Sequence, residues 1–441
     1  MSAEAVIERL MTLHPKGYDL SLTRISGLLM RLGNPQNNLP KTIHIAGTNG
    51  KGSASAFCRA LIEAAGLTCH VHTSPHLVRW HERFRIGAVG GSQFVDDAMF
   101  EDALLRVEAA NAGSAITVFE ILTAAMFLLF SEQPADAAII EVGLGGRFDA
   151  TNVITTPAAT LVMPIAFDHM AFLGDTIDKI AFEKSGIFKR GAPAVIGQQG
   201  FELARDTLID RAERLGARPI AVYGQDYLAF EEHGRMVYQD EEGLYDLPLP
   251  ALDGRHQIAN AAAAIRAVKA AGFTVTQDSA EIAMRNVYWP ARMQAIKTGK
   301  LLDLAPKGTE LYIDGGHNPH AGLAIAEALV ALEEQKPRPL FLICGMLTTK
   351  EPRGYFDAFE GLVRHVFTVP ITGSEVGYDP KVLADLALDA GLSAEAAVSP
   401  EAVLLMLRDT WNGLETAPRI LIGGSLYLAG AVLDANGTPP V

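Results

Sequence analysis

The chain has little of what a secreted, membrane-spanning or nucleic-acid-coating protein needs. It holds only three cysteines in 441 residues, Cys58, Cys69 and Cys344, an odd number far from any C-x-x-C spacing. That excludes a disulfide framework and reads as buried thiols in a reducing cytosol. No uninterrupted apolar run approaches the ~20 residues that a membrane span requires. The first residues mix Glu4, Glu8 and Arg9 among apolar positions and lack the basic-then-apolar order of a signal peptide. Basic residues are outnumbered, 37 Lys and Arg against 51 Asp and Glu, and the net charge of −14 argues against a nucleic-acid-binding surface. Any anionic ligand must therefore be held by a local pocket. Internal repeats and low-complexity segments are missing too. So are a G-x-S-x-G elbow and a cysteine–histidine pair, so no covalent protein nucleophile is in view. A cytoplasmic protein with no membrane or nucleic-acid partner is expected.

An apolar fraction of 49% with 20% charged residues describes a globular chain with a large core, and the length predicts two domains. The chain is organised around Thr42-Ile43-His44-Ile45-Ala46-Gly47-Thr48-Asn49-Gly50-Lys51-Gly52-Ser53, an apolar strand entering a glycine-rich loop and then an alanine-rich helix. Phosphates are met most simply by backbone N–H groups at a helix N-terminus, with glycines allowing close approach and one lysine reaching the outer phosphates. The strict G-x-x-x-x-G-K-[ST] spacing is not met, because position 45 is Ile and Gly52 separates Lys51 from Ser53. An ordinary strand-to-helix turn with a surface lysine is the alternative.

Helical spacing at Ile7, Leu10 and Met11 and at Leu22, Ile25, Leu28 and Leu29 predicts two short helices before this loop. A strand over 68–73 follows it and delivers Ser74-Pro75-His76-Leu77 to the same sheet edge, if both strands are parallel. A buried helix is predicted over 119–130, and strands over 137–140, 159–164, 192–197 and 219–223 alternate with helices over 175–187 and 202–215. Residues 226–249 read as a small β insertion. The pattern turns helical over 256–271, breaks around Tyr288-Trp289-Pro290-Ala291-Arg292, and a second alternating series then starts. It comprises strands over 311–314, 340–344, 366–369 and 419–422 and helices over 321–334, 355–363, 380–390 and 401–411. Only the tail from Asn436 to Val441 looks dispensable. The reading is an α/β chain: a doubly wound N-terminal domain with the phosphate loop, and a second, smaller Rossmann-like α/β domain.

Glu141 stands where an apolar strand opens into Val142-Gly143-Leu144-Gly145-Gly146. A buried carboxylate is costly unless paired or holding a cation, so Mg²⁺ binding is weighed against a helix-capping role. His169, after Asp168, is either a second ligand, a switch for the phosphate or a structural histidine. His70, His72, His76 and His81 lack a cysteine or carboxylate at a spacing that would complete a zinc site. Lys184 sits near a helix end, where a lysine ordinarily faces solvent, and local pattern assigns it no role. Asp314-Gly315-Gly316-His317-Asn318-Pro319 lies between strand and helix and suits ligand contacts, with a plain capped turn as the alternative. These residues describe a two-domain Mg²⁺–ATP enzyme.

Several motifs, in order along nearly the whole chain, resemble the folylpolyglutamate synthase/dihydrofolate synthase family of the Mur-ligase superfamily. They are Gly47-Thr48-Asn49-Gly50-Lys51-Gly52-Ser53, Thr73-Ser74-Pro75-His76-Leu77, the run from Glu141 to Asn152, Asp168-His169, Glu183-Lys184-Ser185-Gly186-Ile187 and His256-Gln257-Ile258-Ala259-Asn260-Ala261. Trp289-Pro290-Ala291-Arg292, the turn from Asp314 to Pro319 and the run from Gly424 to Gly430 complete the set. The extra Gly52 is what this family has. The resemblance implies a Mur-ligase-like fold with an ATP- and folate-binding domain over 1–290, a linker over 291–299 and a glutamate-ligase domain over 300–441. It implies an ATP- and Mg²⁺-dependent ligase that joins L-glutamate to dihydropteroate or a reduced folate through an acyl phosphate, and a monomer.

Carried over position by position, the resemblance gives phosphate binding to Lys51 and the loop Gly47, Thr48, Asn49, Gly50, Gly52 and Ser53. It gives metal binding to Ser74, Glu141 and His169, and makes Lys51, Glu141, His169 and Lys184 catalytic, Lys184 as a lysine carbamylated by CO₂. ATP contacts fall to Asn260, Arg292, Asp314 and His317, completed by domain closure. The pterin side falls to Phe119, Asp149 and Ala150. Two positions depart from the family: Thr349 stands where many members carry Asp, and Ala291 where Gly is usual, a change that stiffens the hinge. Polyglutamylation alone, a Mur-type ligase with another acceptor, and a regulatory protein without catalysis are the competing readings.

Overall fold

The computed structural model describes residues 3–14, 21–371, 376–413 and 415–440. They form two compact units, one of Met1–Ala251 and Ile258–Val287, the other of Leu252–Gln257 and Tyr288–Pro440. Residues Leu252–Gln257, placed with the first domain in the sequence reading, cluster with the second unit.

The first unit is built on a sheet of eight strands: β1 (Lys41–Ala46), β2 (Cys69–His72), β3 (Phe84–Ile86), β4 (Gln93–Phe94), β5 (Ala137–Glu141), β6 (Ala159–Val162), β7 (Ala194–Ile196) and β8 (Ile220–Val222). Their order is β4-β3-β2-β5-β1-β6-β7-β8. The strands from β2 to β8 across the sheet run parallel, and β3 and β4 extend it as an antiparallel edge. Apolar runs make the central strands: all five residues of β5 are buried, because helices cover both faces. The helix Val118–Glu132 is apolar nearly all round, and Phe127 and Phe130 in it are fully buried against Ala138 and Ile140 of β5. Thr117 and Glu120 close its N-terminus reciprocally, Glu120 Oε2 accepting from Thr117 N–H at 2.9 Å and Thr117 Oγ1 from Glu120 N–H at 3.2 Å. The predicted β insertion is an antiparallel sheet of β9 (Tyr227–Glu232), β10 (Arg235–Asp240) and β11 (Gly243–Pro248).

The second unit holds six strands: β12 (Gln294–Ile296), β13 (Glu310–Ile313), β14 (Leu340–Cys344), β15 (His365–Thr368), β16 (Ala394–Ala396) and β17 (Arg419–Gly423). Their order is β12-β13-β17-β14-β15-β16, parallel except for β12. Two expectations for this unit are corrected. The helix placed over 355–363 is Pro352–Asp357 instead. Glu351 caps its start by accepting from Gly354 N–H at 3.0 Å, and beyond it the chain only turns towards Gly361 at φ +73°. The tail does not begin at Asn436, which is buried: its Oδ1 accepts from Leu301 N–H at 2.9 Å and its Nδ2 donates to Thr298 O at 2.9 Å. Both bonds cross-link the end of the chain to the start of the unit; Val441 lies outside the described residues. Among the described residues, no helix is long and apolar enough to cross a membrane.

Candidate active site

Parallel strands deliver their C-terminal ends to one edge, and the order β2-β5-β1-β6 sets four sequence motifs there side by side. Ser74 follows β2, Glu141 ends β5, the glycine loop follows β1, and Asp168-His169 follows β6. Glu141 pairs in register with Ile45, so its buried carboxylate stands one strand from the residue before Ala46 and the loop. The loop needs its glycines: a Cβ on Gly47 would lie 2.7 Å from Met163 Cβ, and one on Gly50, at φ +81°, would lie 2.9 Å from Asn260 Oδ1. Asn260 is thereby placed against the loop. Gly50 is also the N-cap of helix Lys51–Ala64, which has no side-chain cap. A helix start of this kind suits an anion.

Thr48 anchors the loop to the segment after β6, its N–H donating to Pro164 O at 2.9 Å and its hydroxyl to Ala166 O at 3.1 Å. Two ammonium groups converge on one carbonyl, since Lys51 Nζ and Lys184 Nζ each lie 3.0 Å from Gly47 O. Lys184, which local sequence would leave in solvent, is only 4% exposed. The cause lies in the neighbouring turn. A Cβ on Gly146 would meet Lys184 O at 2.6 Å, and one on Gly186 would collide with Arg147 Cα, so these two glycines let the turn after β5 pack directly on the end of helix Ile177–Lys184. Arg147 N–H donates to Glu183 O at 2.8 Å across that junction.

His169 takes φ +52° at the start of the short helix Met170–Leu173, its side chain 44% exposed and its Nε2 3.9 Å from Asp168 Oδ1. Phe119 lies directly over Gly143, where any Cβ would strike its ring. Asp149 is turned inward: Oδ2 accepts from Leu144 N–H at 2.9 Å and Oδ1 from Thr151 N–H at 2.9 Å and from the Thr151 hydroxyl. Burial pushes its pKa up against those bonds. Ala150, buried, begins the next helical turn. Of the histidines set aside as zinc ligands, two serve the backbone, His70 Nδ1 accepting from Gly87 N–H at 3.0 Å and His72 Nδ1 donating to Arg83 O at 2.9 Å, while His76 Nδ1 accepts from Arg83 Nε at 3.0 Å and His81 Nε2 lies 2.9 Å from Asp97 Oδ1. Among the described residues, no group of three or more His, Cys, Asp or Glu could hold a metal alone. Mg²⁺ commonly takes one or two protein carboxylates with phosphates and water, which the buried Glu141 beside a phosphate loop fits.

One residue of this edge escaped the sequence reading. The Glu82 carboxylate accepts from the N–H groups of Leu77, Val78 and Arg79 at 2.7, 2.8 and 2.7 Å and so fixes the loop that starts at Ser74. Its partners are consecutive amides, which carry no sequence signature.

In the second unit, Asp314 leaves the end of β13 buried, with Oδ2 accepting from Met293 N–H at 2.8 Å and Oδ1 from Gly316 N–H at 2.6 Å. Burial raises its pKa, opposed by the charge of Arg292. Arg292 Nη1 donates to Ala291 O at 2.7 Å, and His317 Nδ1 to Gly315 O at 2.9 Å. Ala291 sits at φ +54°, where a side chain costs about 1–2 kcal/mol. The departure from glycine thus falls where glycine would be unstrained.

Residues 45–268 match the Mur ligase middle domain model. The chain is 34% identical over 437 residues to the folylpolyglutamate synthase of Lacticaseibacillus casei, covering 93% of this chain and 92% of that one. Its structure is similar to that of Escherichia coli FolC in complex with DHPP and ADP, with a TM-score of 0.86 and 28% identity over 98% of this chain and 97% of that one. It is also similar to the bifunctional folylpolyglutamate synthase/dihydrofolate synthase of Yersinia pestis complexed with AMPPNP and Mn ion, with a TM-score of 0.84 and 27% identity over 99% and 98% of the two chains. Taken with the glycine loop and its flanking carboxylate, these likenesses show that the chain belongs to the folylpolyglutamate synthase/dihydrofolate synthase family of Mur-type ligases.

Proposed function

We propose that this protein is an ATP-dependent ligase that adds L-glutamate to dihydropteroate and to reduced folates, working in the cytoplasm as a monomer. The observation that carries the reading is the convergence of Lys51 and Lys184 on Gly47 O beside the buried Glu141, at a helix start without a side-chain cap. Phosphoryl transfer needs positioning and charge neutralisation rather than a protein nucleophile. Gly47, Thr48, Asn49, Gly50, Gly52 and Ser53 present backbone to the phosphates, and Lys51 supplies the cation that replaces its carbonyl contacts with phosphate oxygens. Ser74, Glu141 and His169 would hold Mg²⁺, which when bound neutralises charge on the phosphates. The acceptor carboxylate is activated as an acyl phosphate, and the glutamate amine displaces phosphate from it.

Lys184 acts from its buried place beside the loop, where conversion to a carbamate would replace a cation by an anion facing the metals. Asn260, placed against the glycine loop, contacts ATP, and the functional division falls at 1–290, 291–299 and 300–441. Phe119 offers a flat apolar face to the pterin, while Asp149 and Ala150 shape its other side. A polyglutamylation-only enzyme is the second reading, favoured by the likeness to the folylpolyglutamate synthase of Lacticaseibacillus casei. Phosphate release with Mg²⁺–ATP and L-glutamate, compared between dihydropteroate and tetrahydrofolate as acceptors, decides between them. Release with both establishes the bifunctional enzyme, release with tetrahydrofolate alone the restricted one, and silence with both removes the folate acceptor.

A further inference from the structure

Beyond the backbone bond from Arg147 N–H to Glu183 O, the turn that follows Glu141 and the helix end that carries Lys184 are joined by one side-chain amide and one amine. Asn152, 8% exposed, donates through Nδ2 to Arg147 O at 2.9 Å and to Gly186 O at 3.1 Å. Its Oδ1 accepts from Lys189 Nζ at 2.6 Å, and Lys189 Nζ also reaches Gly186 O at 3.3 Å. Every hydrogen-bonding group of the Asn152 side chain is thus spent between the two segments. Among the described residues, the Lys189 ammonium meets neutral oxygens and no carboxylate. Burial alone lowers its pKa from the ordinary 10.5 to about 8. An apolar side chain would avoid that cost, so the position is held for what its donors do.

What they do follows from where the two segments lead. Three residues before Asn152 is Asp149, which grips Leu144 N–H in the turn after Glu141. Five residues before Lys189 is Lys184, whose Nζ lies 3.0 Å from Gly47 O. The bare faces of Gly146 and Gly186 allow the two segments to touch, and one backbone bond, from Arg147 N–H to Glu183 O, links them without engaging either side chain. We infer that Asn152 and Lys189 form a positioning clamp that sets the register between the Glu141–Asp149 turn and Lys184, and hence the placement of the Lys184 amine against the phosphate loop. The inference rests on the ligase reading above.

The test compares the full-length chain with Lys189→Met, Asn152→Ala, the double variant and Lys189→Arg. It reads kcat and KM for each substrate, thermal stability, and amide hydrogen exchange at Arg147, whose N–H donates to Glu183 O. Lys189→Met is expected to lower kcat by about 10–100-fold, the scale of a misplacement near 1 Å, with KM for ATP nearly unchanged. The double variant should be no worse than the poorer single one, Lys189→Arg should recover most of the loss, and exchange at Arg147 should quicken while Thr48 N–H stays protected. A kcat close to the parent's in Lys189→Met, additive losses, or a kcat loss that only follows melting temperature would overturn the clamp. If the parent forms no glutamyl product, the ligase reading fails instead, and unchanged exchange at Arg147 then overturns the clamp on its own.

Discussion

Two strand–turn–helix units, one in each half of the chain, are built alike and finished differently. β1 runs through Gly47–Gly50 into helix Lys51–Ala64, and β13 runs through Asp314–Asn318 into helix Pro319–Gln335. In the second, Asn318 Oδ1 accepts from Ala321 N–H at 2.9 Å and Asp314 Oδ1 from Gly316 N–H of the turn, so the helix start is satisfied from within. In the first, glycine stands at the cap, and the ammonium groups of Lys51 and Lys184 meet at Gly47 O with the Glu141 carboxylate one strand away. The first is finished to receive an anion, the second to hold a turn in shape for the side chains beside it.

The widest breach of that contrast is Lys51→Ala, expected to lower turnover by about 10²–10³-fold or more while circular dichroism and melting stay close to the parent. Near-normal turnover would remove the site assignment. Acid comes next. Burial lowers His44 and His72 in the first unit to about 3 and His256 in the second to about 4. The unfolded chain takes up these protons near the ordinary 6.5 and the folded chain only far below it, so stability is full above that value and is lost as pH falls. Each fully buried histidine contributes up to about 2 kcal/mol of loss by about pH 5, read from urea midpoints, and replacing His44 by a neutral residue should flatten the curve. A midpoint independent of pH over this range would contradict it.

A paired exchange of caps sharpens the comparison further. Gly50→Asn installs a side chain at the open cap and should weaken ADP binding by about tenfold, measured by titration calorimetry. Asn318→Ala should cost about 1 kcal/mol in stability and change ADP affinity less than Gly50→Asn does. Equal affinity losses would erase the distinction. The smallest effect is Ala291→Gly, which relieves the φ +54° strain and should raise stability by at most about 1 kcal/mol. A lower melting temperature would mean that stiffness at this position outweighs strain.

Much of this was legible in the chain itself. Apolar runs gave the parallel strands, and glycine with lysine after one of them gave the phosphate loop, because both signals are local. Lys184 was different. Near a helix end it reads as solvent-facing, and only the fit of Gly146 and Gly186 against the opposing backbone buries it. Glu82 was hidden for a different reason: its partners are three consecutive backbone amides just before it, which leave no mark in side-chain pattern. The edge strands β3 and β4 escaped notice, being two or three residues long with little apolar pattern. Asn436 looked like part of a loose tail because its partners, Thr298 and Leu301, lie far back in sequence.

The most direct test of the account is to follow the acceptor itself: the purified chain with Mg²⁺–ATP, L-glutamate and dihydropteroate, with products resolved by mass spectrometry. The expected product is an acceptor carrying one added glutamyl residue for each ADP formed, with none when ATP is withheld. ADP formed without any glutamyl product, from dihydropteroate or tetrahydrofolate, would contradict it.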